Sequence, residues 1–188
     1  MTVRPAEPAD APGLARVFLE SAAYHRSSVD ASIFGHPEPG AVLRAYHEAL
    51  AGQGAEGRPG PGGDPGPGPG GDPGPRTAGL LVAEVDGQVV GLVELRIEAP
   101  PADRADMHLP VRYGWVDELA VGEAWRRSGV GTRLLRAAEA WLRERGAVAV
   151  LLDTHPGNAA ALDFYQERMG YRPVGVRLRK RLDGGAGP

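Results

Sequence analysis

The chain has 188 residues, a formal net charge of −3 and no cysteine. Its length suits one domain with a sizeable core, and the lack of cysteine excludes disulfides, thiolate metal sites and a cysteine nucleophile. Because the chain contains no stretch of about 18 apolar residues and no apolar signal segment near its start, we expect a cytoplasmic protein that does not interact with membranes.

The charges are unevenly distributed along the chain. Residues 1–125 carry 9 basic and 18 acidic side chains, whereas residues 126–188 carry 12 basic and 6 acidic ones. The basic part favours an anionic ligand, and the acidic part either faces a cationic amine or is scattered solvated charge. Because no run of basic residues is interleaved with aromatic ones, nucleic acid is not expected as the main partner.

The first 51 residues predict a short strand at 2–4 and two helices. Asp10 can cap the first helix, and Pro12 suits its first turn. An apolar stripe at helical spacing then continues to about His25. A similar stripe predicts the second helix over residues 40–51, after a loop at 27–39.

Residues 52–76 differ in composition from the rest of the chain. They contain 11 glycines and 7 prolines, and the sequence GGDPGP occurs at 62–67 and again at 70–75. Such a segment buries too little apolar surface to offset the entropy of ordering it. We therefore predict a disordered loop at 52–76 that lies inside the domain rather than between two domains.

From residue 80 onwards, strand and helix patterns alternate. Two strands at 80–85 and 89–97 are joined by Asp86-Gly87, a hairpin turn signal. After a loop at 98–112, the pattern predicts a strand at 114–121, a helix at 130–145, an apolar strand at 147–154, a helix that starts near residue 158, and a closing strand or hairpin at 171–182. This order predicts a mixed α/β domain built around one sheet.

A candidate phosphate-binding turn, RRSGVG, covers residues 126–131, where the predicted helix follows the strand at 114–121. Backbone N–H groups at the start of that helix have no intrahelical acceptor, so they favour an anion. Gly129 and Gly131 leave room for close approach, and the two arginines add positive charge.

This turn could also be a Walker-type loop, a dinucleotide-binding fingerprint or a turn that binds no phosphate. A Walker-type loop needs a lysine after its last glycine, but the single lysine of the chain is Lys180. A dinucleotide-binding fingerprint needs a third glycine and an acidic residue about 20 positions further on, and neither Glu144 nor Asp153 fits that place convincingly. The third is a tight strand-to-helix turn with solvated arginines.

A second informative stretch, residues 158–171, reads NAAALDFYQERMGY. On a regular helix, Asn158 and Tyr165 would lie on one face about 10 Å apart. An amide and a phenol at that spacing suit an extended thioester arm. The same pattern also fits an amphipathic helix with Leu162, Phe164 and Tyr165 in the core.

Together these two stretches resemble the GNAT family of acyl-CoA-dependent N-acyltransferases. Residues 126–131 fit its loop R/Q-x-x-G-x-G/A, and residues 158–171 resemble its later motif N-x-x-A-x-x-[LF]-Y-x-[KR]-x-G-[FY], with Arg168 one place late. The resemblance covers residues 80–182, and more loosely the N-terminal part. It implies a single α/β domain at 1–182, with a mixed, mostly antiparallel sheet flanked by helices, and a flexible tail at 183–188.

The resemblance implies an N-acetyltransferase that uses acetyl-CoA as co-substrate and acts on a primary amine of a small molecule. Because the chain has no cysteine, we expect direct transfer in a ternary complex. The alternatives are a non-catalytic acyl-CoA-binding sensor or scaffold, and a protein N-terminal or lysine acetyltransferase. Tyr24 and His25 could line the acceptor pocket. No metal is expected, since the histidines lack metal-ligand spacing, and a homodimer is left open.

The resemblance also assigns roles to individual residues. Tyr165 would protonate the departing sulfur, and Asn158 would hydrogen-bond the pantetheine arm of the cofactor. The base would be Asp117 or Glu118, with a slight preference for Asp117; the two project to opposite faces unless a bulge near Leu119 changes the alternation. The implied cofactor-binding residues are Leu119, Ala120, Val121, Arg126, Arg127, Ser128, Gly129, Val130, Gly131, Thr132 and Asn158.

Overall fold

Five strands form one sheet in which the strand order follows the chain order. The strands are β1 (Thr2–Pro5), β2 (Thr77–Val85), β3 (Gln88–Glu98), β4 (Arg112–Val121) and β5 (Ala147–Leu152). Neighbours from β1 to β4 pair antiparallel, whereas β4 and β5 run parallel. This computed structural model describes residues 1–31, 33–51, 77–98 and 111–175, and it confirms the predicted mixed, mostly antiparallel sheet.

Helices cover both faces of the sheet, and they are α1 (Ala11–Ser28), α2 (Pro39–Ala51), α3 (Val130–Glu144) and the short α4 (Ala159–Asp163). On one face, α1 and α2 bury Leu14 and Tyr46 against the strands. On the other face, α3 buries a stripe that includes Leu134 and Leu142. None of the helices in the described part of the chain is long and apolar enough to cross a membrane.

The described elements differ from the predicted ones mainly at their ends. α1 continues to Ser28, and β4 begins at Arg112. The predicted closing strand is wrong where it can be compared: residues 171–175 lie outside any strand, and Pro173 there cannot donate a ladder hydrogen bond. The remaining residues of that prediction, the loop predicted at 52–76, residues 99–110 of the predicted loop at 98–112 and the tail at 183–188 lie outside the described residues.

Two irregularities of β4 shape the region where the site residues lie. Glu118 pairs with Glu94 of β3, but the next pair is Val116 with Leu95, so Asp117 is an extra residue that forms a bulge. In addition, β5 pairs with β4 only from Arg112 to Val116. Among the described residues, no strand pairs with the outer edge of β4 beyond this point.

The bulge lies two residues before Leu119, near which the sequence left a bulge open. A bulge re-aims the side chain of its extra residue. Here the extra residue is Asp117, whose carboxylate forms an ion pair with Arg96 of β3. Beyond the bulge, Glu118 and Ala120 face α1 and α2, whereas Leu119 and Val121 face α3.

Candidate active site

The turn between β4 and α3 presents unpaired backbone donors. The Arg133 N–H donates to the Gly129 carbonyl at 3.1 Å, which makes it the first of the helical hydrogen bonds of α3. The N–H groups of Val130, Gly131 and Thr132 therefore have no intrahelical acceptor. Arg127 and Gly129 have left-handed backbones, with φ of 62° and 88°. Left-handed residues at alternate positions point successive N–H groups into a concavity that suits an anion.

The two glycines of this turn differ in backbone conformation and in surroundings. Gly129 has a positive φ, which a side chain would strain, and a Cβ there would meet nothing within 4 Å. A Cβ on Gly131 would lie 3.7 Å from the ring of Phe164 and from the Val121 side chain. The start of α3 therefore lies against the segment that carries Tyr165.

Arg126 points away from the mouth of the turn. Its guanidinium lies 4.6 Å from the centre of the Tyr24 ring, and its Nε donates to the Val121 carbonyl at 3.3 Å. A third contact joins its Nη2 to the Glu20 carbonyl at 3.5 Å. Through these contacts the Arg126 guanidinium connects the end of β4 to α1.

The outer edge of β4 lies beside this turn. Leu119, Ala120 and Val121 pair with β3 on one side, and β5 has separated from β4 by that point. The backbone groups on the open edge are where an extended ligand can add like a further strand. This arrangement fits the predicted place of the pantetheine arm.

Asn158 caps α4 instead of lying within it. Its Oδ1 accepts a hydrogen bond from the Ala161 N–H at 3.2 Å, its Nδ2 lies 3.3 Å from His25 Nε2, and the residue is 6% exposed. The helix predicted to start near residue 158 is confirmed, but Asn158 is its N-cap and the turn that carries Tyr165 is π-helical, so the regular spacing assumed between the two residues does not hold. The preference of asparagine for helix N-caps, after Pro156-Gly157, was the signal in the sequence.

Tyr165 lies in a wide helical turn that follows α4. Residues 164–168 are π-helical, and the Met169 N–H donates to the Phe164 carbonyl at 3.1 Å. Burial raises the pKa of the Tyr165 phenol, and the negative charge of Glu118 raises it further. The phenol is therefore protonated at neutral pH, and it lies close enough to Glu118 to respond to its charge.

The two candidate bases have different surroundings. Asp117 pairs with the Arg96 guanidinium, and both side chains are less than one-tenth exposed. Glu118 instead accepts a hydrogen bond from Ser21 Oγ at 3.1 Å. Burial raises the pKa of Glu118 to about 7, against the opposing effect of Ser21. The Glu118 side chain is partly exposed.

Glu94 is a further acidic residue that the sequence analysis missed. It is the register partner of Glu118, it is 3% exposed, and Tyr46 donates to its Oε1 at 2.9 Å. Burial and the negative charge of Glu118 raise the pKa of Glu94 to about 8. Its place in the apolar run of β3 was the only signal, because an acid in a buried strand needs a neutral form or a partner.

Known proteins resemble this chain in sequence. Residues 70–171 match the model of the acetyltransferase (GNAT) family. An N-alpha-acetyltransferase of Sulfurisphaera tokodaii is 36% identical over 108 residues, which cover 57% of this chain and 64% of that protein. An aminoglycoside N(6')-acetyltransferase type 1 of Klebsiella aerogenes is 34% identical over 87 residues, or 46% of this chain and 55% of that protein. The chain thus spans less than two thirds of either relative.

The fold also matches solved structures. A tetramutant of the BH1408 protein from Bacillus halodurans superposes with a TM-score of 0.75, covering 97% of this chain and 100% of that one. At 18% identity this likeness concerns the fold alone. The family model, however, matches more than half of the chain and includes both the turn and the Tyr165 segment. The chain therefore belongs to the acetyltransferase (GNAT) family.

Proposed function

We propose that the protein is an N-acetyltransferase that transfers the acetyl group of acetyl-CoA to a primary amine of a small molecule. The observation that carries this proposal is a candidate base whose charge reaches a candidate acid. Glu118 is a carboxylate with a pKa near neutrality, and its charge acts on the protonated phenol of Tyr165. A purely structural pair of buried groups would not need to lie beside an open strand edge and an anion-binding turn.

The residues that would hold acetyl-CoA fit its chemistry. The N–H groups of Arg127 to Thr132 would bind the pyrophosphate, which the left-handed backbones of Arg127 and Gly129 and the open space around Gly129 support. The open edge of β4 at Leu119 and Val121 would pair with the pantetheine arm. The bound cofactor supplies an acetyl group on a thioester. Asn158 would act indirectly, since both polar atoms of its side chain already contact the protein.

Glu118 is our proposed base in preference to Asp117. A carboxylate paired with a guanidinium gives up basicity, because the fixed positive charge favours its ionised form. Glu118 has no such cation among its described contacts, and its raised pKa suits proton transfer at neutral pH. It would take one proton from the amine, directly or through a water, as the new C–N bond forms.

Tyr165 would give its proton to the sulfur as the C–S bond breaks. Because burial raises the pKa of the phenol, it is reliably protonated but is a weak acid. We therefore expect its contribution to be near the lower end of the ~10²–10⁴-fold typical of general acid catalysis. A proton from Glu118 or solvent then restores the phenol.

A small cationic amine is our proposed acceptor because the α1/α2 face of β3 and β4 carries the Glu118 carboxylate, whose described contacts include no cation. On the same face, Asp117 is paired with Arg96, and Glu94 keeps its proton near neutrality. The Klebsiella relative, whose name specifies aminoglycosides, supports this choice. The relative from Sulfurisphaera tokodaii, an N-alpha-acetyltransferase, favours a protein N-terminus as the second candidate.

One assay separates these functions. Release of free CoA thiol from acetyl-CoA would be followed with a panel of aminoglycosides, polyamines and peptides with free α-amines. Turnover of small amines supports the proposal, and turnover of peptides alone supports the second candidate. Saturable acetyl-CoA binding without turnover of any amine would favour a sensor or scaffold and contradict the proposed enzyme.

A further inference from the structure

A chain of side chains connects the proposed base with the N-cap of α4. Ser21 Oγ lies 3.1 Å from Glu118 Oε1, and His25 Nδ1 lies 3.4 Å from Ser21 Oγ. On its other side, His25 Nε2 lies 3.3 Å from Asn158 Nδ2. Ser21 and His25 are one turn apart on α1, whereas Glu118 and Asn158 come from β4 and from the start of α4.

The direction of every hydrogen bond in this chain follows from its two ends. The Ala161 N–H donates to Asn158 Oδ1, so the amide presents its Nδ2 donor to His25. His25 Nε2 must then be the acceptor, and the proton of the neutral ring is on Nδ1. That proton faces Ser21, whose Oγ lies 3.4 Å away and whose backbone also hydrogen-bonds the ring, and the Ser21 hydroxyl donates to the Glu118 carboxylate.

We infer that Ser21 and His25 are positioning residues that act on Glu118 through a one-way chain of donors starting at Asn158. This inference rests on the proposed function, in which Glu118 is the base. The chain fixes the orientation of the carboxylate and stabilises its charged form. It also links Glu118 to α4, the element that leads directly into the segment carrying Tyr165.

The surroundings of His25 favour the neutral ring that this chain requires. Burial lowers the pKa of His25, a hydrogen bond to the Ser21 backbone opposes this shift, and the charges of Arg126 and His155 lower the pKa further. The ring stacks on Phe34 with centroids 5.0 Å apart and meets the edge of Tyr24 at 5.8 Å. These contacts hold the imidazole plane, so that both nitrogens keep their directions.

Titratable groups surround Glu118 on each of the elements that pack against it. Glu94 faces it from β3, and Tyr46 faces the pair from α2. Asp117 is its neighbour on β4 and is paired with Arg96, and Tyr165 lies on the segment after α4. Burial favours protonation of Glu118. The Ser21 hydroxyl of α1 opposes this effect by donating to the carboxylate.

The first test needs no cofactor. Carboxyl ¹³C NMR would titrate Glu118 in the wild type, Ser21→Ala and Ser21→Thr, with Glu118→Gln used for assignment. Loss of a hydrogen bond to a charged group should change the acid dissociation constant roughly tenfold, so Ser21→Ala should raise the pKa of Glu118 by about one unit. Ser21→Thr keeps the hydroxyl and should restore the wild-type value. An unchanged midpoint in Ser21→Ala would overturn the inference.

The tautomer of His25 gives a test on the unmodified protein. ¹⁵N NMR should find the proton on Nδ1 and should show that the ring stays neutral below its ordinary pKa of about 6.5. A proton on Nε2 would contradict the direction of the chain. This measurement remains decisive even if Ser21→Ala fails to fold.

Kinetics then distinguish failure of the inference from failure of the proposed function. If the wild type acetylates an amine, the acidic limb of kcat/KM against pH should move to higher pH in Ser21→Ala and in His25→Leu. His25→Asn, which keeps an N–H near the position of Nδ1, should shift it less. Normal turnover with an unshifted limb in Ser21→Ala contradicts the inference alone. A wild type that binds acetyl-CoA but turns over no amine contradicts the proposed function, while the two NMR tests still decide the chain.

Discussion

Glu94 and Glu118 are opposite each other on β3 and β4, and both side chains face the layer formed by α1 and α2. Two carboxyl groups so placed in a buried region cannot both ionise easily. Tyr46 donates to Glu94, and Ser21 donates to Glu118. The pair therefore combines one group that keeps its proton with one that is ready to accept a proton near neutrality.

The first prediction concerns the titration of this pair. The wild type should lose two protons in separate macroscopic steps near pH 7 and 8, which belong to the pair. Glu94→Gln should leave only the lower step, and carboxyl ¹³C NMR would measure it. As a control, Tyr46→Phe should keep both steps and raise the upper one, because Tyr46 stabilises ionised Glu94. Two steps persisting in Glu94→Gln would contradict this assignment.

The same shifts predict how stability depends on pH. Both acids have pKa values raised from 4.5 in the folded state, so folding binds protons. Their contribution to stability is complete below about pH 4.5 and is lost as the pH rises to about 8. Urea unfolding of the wild type and Glu94→Gln across this range should show a smaller decline in the variant, by up to a few kcal/mol. An equal decline would mean that Glu94 ionises normally.

Gly129→Glu should abolish acetyl-CoA binding, because it places bulk and negative charge where the pyrophosphate would approach. Gly129→Asn is the matched control, since asparagine tolerates the left-handed backbone at φ 88° and is uncharged. Thermal shift with millimolar acetyl-CoA would compare the variants, and binding raises the melting temperature by mass action. Wild-type affinity in Gly129→Glu would show that phosphate binds elsewhere.

Tyr165→Phe should lower kcat by about 10²-fold and leave acetyl-CoA binding nearly unchanged, because the ring keeps its packing and only the proton donor is lost. Tyr171→Phe is the control, since its phenol donates to Glu139 at 3.0 Å. That variant should retain most of its turnover. Full activity of Tyr165→Phe on the best amine would mean that the phenol serves packing only.

Asp117→Asn and Glu118→Gln should separate structure from chemistry. In Asp117→Asn, Arg96 keeps its ion pair with Glu98 at 2.9 Å, so we expect the free energy of unfolding to fall by only about 1–3 kcal/mol. The acidic limb of kcat/KM against pH should stay as in the wild type. Glu118→Gln should fold and should lose at least about 10²-fold in kcat/KM together with that limb. If Asp117→Asn loses the acidic limb of the pH–rate profile and Glu118→Gln keeps it, Asp117 is the base.

The sequence alone determined the features that depend on neighbouring residues. Periodicity predicted most helices and strands, and the two motifs predicted the family that residues 70–171 match. Gly129 and Gly131 stood out because residues without a side chain leave room for an anion at the start of a helix. Such signals are local, since turn chemistry and helical spacing involve residues a few positions apart.

Only the tertiary structure decided which groups act on one another. Strand pairing places Glu94 beside Glu118, and helix packing joins Ser21 to Glu118 across 97 positions and His25 to Asn158 across 133. The bulge at Asp117 sends one acid to Arg96 and the next toward α1. Register, bulges and packing distances result from the whole chain folding together. A residue-by-residue pattern could therefore name both acids as candidate bases, but its slight preference for Asp117 took no account of the pairing with Arg96.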